Sequence, residues 1–228
     1  MNSGDTATYQ GYEVALWPLE YVNITAGPWA SNHIVEGVAN SGCWDNGWYQ
    51  TQRRPLYAPF SMECIRSYPT GSFNGHGQMW RSLDKVWLPG ESQPQYATFM
   101  VLHSNTLYYG VGDRIAQGTH FFDTGDFGLS SGPHVHFILM VGWYNAAFPT
   151  GNNPSTGYNI WYSPLAPANI ADYFYLTGTE PFVGSGGSGG LTWKTWEGSP
   201  IGPTPGGQLA AAILALFKLR KEKKRVRI

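Results

Sequence analysis

A mainly β protein is the fold class that the sequence predicts: an antiparallel β-sheet core with long loops, one short helix and a helical, basic C-terminal tail. Short apolar or alternating runs recur from Tyr12 to about Val141, broken by Gly, Pro, Asn and Ser, which is the signature of many short strands. The 228 residues include 29 Gly and 16 Pro, residues that interrupt regular structure rather than continue it. Only 13% of residues are charged, while 11 Phe, 14 Tyr and 10 Trp are present. Ordinary globular chains are about a quarter charged, so this balance argues against a helix bundle, a coiled coil or a charged disordered chain and favours a loop-rich β protein.

In chain order, YEVALWPL, PLYAPFSMECI, YATFMVLHS, NTLYYGVG and HVHFILMV read as strands, and PTGSFNGHG, LPGESQPQ and GLSSGP as the turns between them. Ala166 to Leu176, within PLAPANIADYFYL, reads as a short helix, with Pro at its start and apolar Ile170, Phe174 and Leu176. GSGGSGG, residues 184–190, is a flexible linker by composition. Beyond it lie LTWKTWEG, a Pro/Gly stretch, and LAAAILALFKLRKEKKRVRI, whose Ala/Leu content favours a helix from about Gln208. The chain thus divides into a compact unit over 1–183, a linker with a WKTW segment over 184–207, and an apolar-basic helix over 208–228. The nine apolar residues from Leu209 to Phe217 fall far short of a membrane span. An anionic membrane surface, a partner protein and a solvated tail are three readings of the last segment. Trp193 and Trp196 of WKTW either bind a ligand or dock on the sheet.

The formal net charge of −1 hides a division, because residues 218–228 carry seven Lys or Arg and only Glu222, leaving the first 217 residues at −7. A mildly acidic body cannot grip nucleic acid, whose binding depends on distributed Lys and Arg. Two cysteines, Cys43 and Cys64, are too few for a disulfide scaffold, and MNSGDTATYQ lacks the basic and apolar regions of a secretory signal. Free thiols in a chain made in a cytoplasm are expected.

Four of the six histidines, His33, His103, His134 and His136, are the candidates for chemistry. In HVHFILMV, His134 and His136 stand two apart, so in a strand both imidazoles point to one face; in a helix they would diverge by about 200°. A catalytic zinc site takes about three protein ligands and leaves a position open for water. One strand cannot supply them all, and the other contributors are SNHIVEGVANSGCWD, with His33, Asn40, Cys43 and Asp45, and FMVLHSN, with His103. Paired surface histidines are the plain alternative.

The stretch GVGDRIAQGTHFFDTGDFGLSSGPHVHF resembles the C-terminal half of lysostaphin-like peptidoglycan endopeptidases, in which a "vGd-x-I-x-q-G" turn leads to "tG-x-s-x-G-x-H-x-H-f". The order Ser31, His33, Asn40, Gly42, Trp44, Asp45, followed by LYAPFSMECI, resembles the metal-binding segment of phage-borne members. SLDKVWLPGESQPQYATFMVLHSN is similar to their middle portion, which ends in a catalytic histidine. The resemblance covers roughly Trp17 to Val141.

It implies a zinc endopeptidase in which His33 and His136 are metal ligands and Asn40 stands where the family has an aspartate. His134 is then the general base beside the metal, and His103 a second catalytic imidazole that stabilises the oxyanion. Asn40 offers only a neutral carbonyl oxygen; Asp45 or the thiolate of Cys43 could substitute for it. The implied partners are bacterial peptidoglycan and phage tail proteins, with membrane contact by 208–228. The implied location is a virion tail or a host cytoplasm until lysis. An inactive wall-binding or structural tail component on the same scaffold is the alternative, with Asn40 as its sign. His76 and His120 read as loop histidines, and Asp113, Asp123 and Asp126 as turn residues.

Overall fold

A computed structural model of the chain describes residues 1–26, 34–35, 38–39, 44–47, 53–68, 76–128, 130, 132–143, 170–183 and 190–199. His33, Asn40, Cys43, most of the Gly/Ser linker and the tail over 208–228 lie outside the described residues.

The strands are β1 (Thr8–Tyr9), β2 (Tyr12–Val14), β3 (Ile24–Ala26), β4 (Ile34–Val35), β5 (Val38–Ala39), β6 (Trp44–Gly47), β7 (Pro55–Tyr57) and β8 (Met62–Tyr68). They continue as β9 (His76–Ser82), β10 (Val86–Trp87), β11 (Ala97–Ser104), β12 (Arg114–Ile115), β13 (His120–Asp123), β14 (His134–Val141), β15 (Tyr175–Leu176) and β16 (Lys194–Thr195). The architecture is mainly β, as the composition and the run lengths imply. A seven-stranded sheet in the order β12-β8-β9-β11-β14-β6-β3 forms its centre, and every pairing in it is antiparallel.

At the middle of that sheet, β11 and β14 are buried along nearly their whole length. Phe99, Val101, Val135, Phe137 and Leu139 enter one core with Trp17, Phe60, Trp80, Phe121 and Phe174. Edge-to-face contacts such as Trp17 with Phe137, at a 5.4 Å centroid distance, fill it. Among the described residues most aromatic side chains thus serve as packing, although Tyr108, Trp143 and Phe182 remain exposed.

Three local expectations need correction. NTLYYGVG is a turn rather than a strand, because Gly110 donates its N–H to Asp113 Oδ2 at 2.7 Å and Gln78 Nε2 donates to the Tyr109 carbonyl at 2.5 Å. HGQMWRS, read partly as a turn, is the strand β9. Within Ala166 to Leu176 the described residues hold one 3-10 turn, Ile170–Asp172, and then the strand β15, whose Tyr175 is drawn into backbone pairing with Ala15 and Trp17.

The WKTW segment docks on the body. β16 pairs in parallel with β15, Trp193 packs edge-on to Trp17 at 5.0 Å, and Trp196 packs edge-on to Tyr175 at 5.5 Å. On the same side the Met1 amino group lies in a buried ion pair with Glu180, 2.6 Å apart. Among the described residues no helix is long and apolar enough to cross a membrane.

Candidate active site

β11 and β14 align Val101 with Phe137 and Leu102 with His136. Side chains alternate along a strand, so Val101 and Phe137 face the aromatic core while Leu102 and His136 face the other side. His134 shares the His136 face. Strict alternation would send His103 after Val101 into the core. Instead, the register between β11 and β9 shifts between Leu102 and Ser104, and His103 adopts a left-handed backbone with φ 83°. This bulge re-aims the side chain. The His103 ring lies 4.5 Å from that of His134 and 6.1 Å from that of His136, centroid to centroid.

Asp45 reaches the same point from β6, where it stands opposite His136. Its Oδ1 lies 2.9 Å from His136 Nδ1 and 3.8 Å from His134 Nε2. Asp45, His103 and His136 are all buried. The carboxylate therefore sits beside two imidazoles in a site shielded from water, where its field is weakly screened.

The turn between β13 and β14 fixes both remaining rings. Gly125 and His134 exchange two backbone hydrogen bonds of 2.9 Å. Phe127 N–H donates to the His103 carbonyl at 3.1 Å, and His103 Nδ1 donates in return to the Phe127 carbonyl at 3.0 Å. A carbonyl oxygen only accepts, so Nδ1 of His103 carries the hydrogen and Nε2 of the neutral ring offers a lone pair. His134 Nδ1 donates likewise to the Gly132 carbonyl at 2.8 Å, leaving its Nε2 as acceptor on the Asp45 side. Burial, reinforced by the neighbouring His134 and His136, holds the His103 pKa down at about 3. His103 is thus held neutral at neutral pH, with its hydrogen on Nδ1.

The structure therefore brings together His103, His134, His136 and Asp45. Among the described residues no three His, Cys, Asp or Glu side chains form a metal-holding group. Asp45 and His136 nevertheless present donor atoms 2.9 Å apart, close to the roughly 3.3 Å edge of a tetrahedral zinc site with its bond lengths near 2.0–2.1 Å. The contact is itself a hydrogen bond from His136 Nδ1–H to the carboxylate, and both groups are of the type zinc takes once that hydrogen is lost. Cys64 is buried, and burial pushes its thiol up to about 12, so it takes no part.

His120 and His76 are not loop histidines. His120 opens β13 and donates from Nε2 to Asp123 Oδ1 at 2.8 Å, while Tyr108 donates to the other oxygen of Asp123. Asp126 bonds Asn105 and Arg53 rather than its own turn, whereas Asp113 does close a turn. His76 begins β9 opposite Ser104 and stacks on Phe127, with centroids 4.1 Å apart and planes 18° from parallel. No pattern in the sequence singles out His76 or Phe127, since their meeting depends on the bulge and on the turn that closes over it.

Fold and site together define an antiparallel β scaffold that holds three imidazoles and a carboxylate at one end of its central strands. No family model matches the chain. Morphogenesis protein 1 of Bacillus phage B103 is 24% identical over 191 residues, covering 81% of this chain and 45% of that protein, so the chain spans a little under half of its relative's length. Among solved structures, the chain is similar to the catalytic domain of the antimicrobial peptidase lysostaphin from Staphylococcus simulans, with 19% identity, TM-score 0.39, and coverage of 57% of this chain and 80% of that one. It is also similar to a zinc-containing peptidase from Vibrio cholerae, with 21% identity, TM-score 0.43, and coverage of 57% and 40% respectively.

Proposed function

We propose that the chain is a zinc-dependent endopeptidase that hydrolyses peptide cross-links of bacterial peptidoglycan. The observation that carries this reading is the convergence of His103, His134 and His136 on Asp45, from strands far apart in the sequence. The lysostaphin-like motif assigns two of these imidazoles to catalysis and one to the metal.

Asp45 and His136 would hold the ion, with His33 as the third ligand; Asp45 then supplies the negative charge that Asn40 cannot. When bound, zinc lowers the pKa of a water towards 7 and polarises the scissile carbonyl. His134 accepts the proton of the attacking water at Nε2 and delivers it to the leaving amine. His103 accepts a hydrogen bond at Nε2 from the water or from the departing amine, and its low pKa keeps it neutral throughout.

The phage morphogenesis relative supports an association with a phage particle; tail proteins as partners and a stay in the host cytoplasm until lysis belong to the same proposal. Residues 208–228 would anchor the enzyme to the virion or to an anionic membrane surface.

The test is clearing of Gram-positive cell-wall suspensions with and without chelator. Purified protein should clear the walls, lose this ability in chelator and regain it with zinc, and His134→Ala should be inert. Chelator-insensitive clearing would reject the metal mechanism. Binding without clearing would leave a wall-binding module in its place.

A further inference from the structure

We propose that His76 is a positioning residue: its stack on Phe127 seats the Phe127 carbonyl on His103 Nδ1 and so fixes the tautomer in which His103 Nε2 faces the substrate. The inference rests on the catalytic reading of His103 given above, and adds to it a residue that the histidine motifs do not include.

Three consecutive residues make reciprocal contacts that close the turn over the site. Gly125 exchanges backbone hydrogen bonds with His134. Asp126 accepts from Asn105 Nδ2 at 2.8 Å and donates its N–H to Asn105 Oδ1 at 3.1 Å. Phe127 donates to the His103 carbonyl and accepts from the His103 ring. A Cβ on Gly125 would overlap the His103 carbonyl oxygen and come within 2.9 Å of Ser104 Cα, so the turn lies directly on the bulge. Backbone contacts hold this clasp along one side. On its other side, the Phe127 ring meets the face of His76, which β9 delivers opposite Ser104.

The consequence for His103 is specific. A neutral imidazole has two tautomers of similar intrinsic energy, and the bond made by one nitrogen decides what the other offers. With the Phe127 carbonyl 3.0 Å from Nδ1, the hydrogen stays there. If Phe127 tilts or withdraws, that bond weakens and the hydrogen is free to move to Nε2, which then no longer accepts. A flat partner is needed at position 76, and the near-parallel planes indicate that stacking, not an ionic contact of the histidine, does the work.

The experiment records imidazole nitrogen chemical shifts of the full chain by long-range 1H–15N NMR, without substrate, alongside wall-hydrolysis kinetics. Wild type should show His103 as the Nδ1–H tautomer. His76→Ala should shift the His103 signals towards a tautomer mixture and lower kcat by about ten- to a hundredfold, in the range of changes that disturb an orienting partner, with KM little altered. His76→Phe should restore both. If His76→Ala does not fold, Phe127→Leu, which keeps apolar bulk but lacks a flat face, should give the same tautomer shift. Unchanged His103 signals in a folded His76→Ala or Phe127→Leu protein would overturn the proposal, as would failure of His76→Phe to rescue. A tautomer shift in a protein that hydrolyses no wall would sustain the positioning role and reject the peptidase. Hydrolysis with an unmoved tautomer would do the reverse.

Discussion

His136 Nδ1 meets Asp45 Oδ1 at 2.9 Å across a register pair of neighbouring strands, 91 residues apart in sequence. Because β-sheet register fixes which side chains share a face, this contact is built into the pairing of β6 with β14. It makes Asp45 the acidic partner of the HxH strand. Asp45→Ala should therefore reduce zinc affinity by more than the roughly 10- to 100-fold typical of an indirect ligand partner, whereas Asn40→Ala should retain the metal. Equilibrium dialysis with elemental analysis measures both, and loss of zinc in Asn40→Ala alone would reverse the assignment.

Under the proposed mechanism His134 should separate from Asp45 and His136 in kinetics. His134→Ala is expected to lower kcat by about 10²–10⁴-fold, the usual contribution of a positioned acid-base group, while the zinc content stays that of wild type. Loss of zinc together with activity would place His134 in the coordination sphere instead.

Acid should weaken the metal-free fold through His103. An unfolded histidine titrates near 6.5, whereas burial and its two imidazole neighbours hold folded His103 at about 3. Above the unfolded value both states are neutral and the contribution to stability is complete. As pH falls from about 6.5 to about 3, the unfolded chain takes up a proton that the folded chain refuses, and stability drops by up to about 1.4 kcal/mol per pH unit. Urea denaturation in chelator between pH 4 and 7 should show this slope. His103→Asn should flatten it.

Gly125→Ala should damage the site without touching any imidazole. Its added methyl would collide with the His103 carbonyl and the Asn105 side chain, which costs about 1–3 kcal/mol if the chain shifts to relieve the overlap. The expected result is a lower melting temperature together with reduced kcat. An unchanged melt and rate would mean that the turn does not lie on the bulge.

Much of this organisation could be read from residue pattern. The HVHFILMV run declares both its strand and the shared face of His134 and His136, because period-two spacing and β-branched or aromatic neighbours agree. YATFMVLHS likewise emerges as β11. What eluded pattern was geometry created between segments. Asp45 meets His136 through strand register, which spacing along one segment does not encode. His103 is on the correct face only because of a bulge, and its hydrogen is placed by a carbonyl of another turn. His76 reads as a loop histidine among glycines, and WKTW leaves ligand binding and docking on the sheet equally open, since neither stretch reveals its packing partner. His33, Asn40 and Cys43 lie outside the described residues, so their place in the site stays a proposal.

The left-handed backbone at His103 has an evolutionary consequence. Left-handed conformations at non-glycine residues cost of order 1–3 kcal/mol, so substitutions that straighten β11 would be rewarded by thermal selection. Each of them would swing the imidazole in among Phe99, Phe137 and their neighbours, producing a hardier protein whose histidine cluster has lost one ring. Directed evolution for heat tolerance alone should therefore drift towards inert descendants at this strand, and screens must select for turnover at the same time.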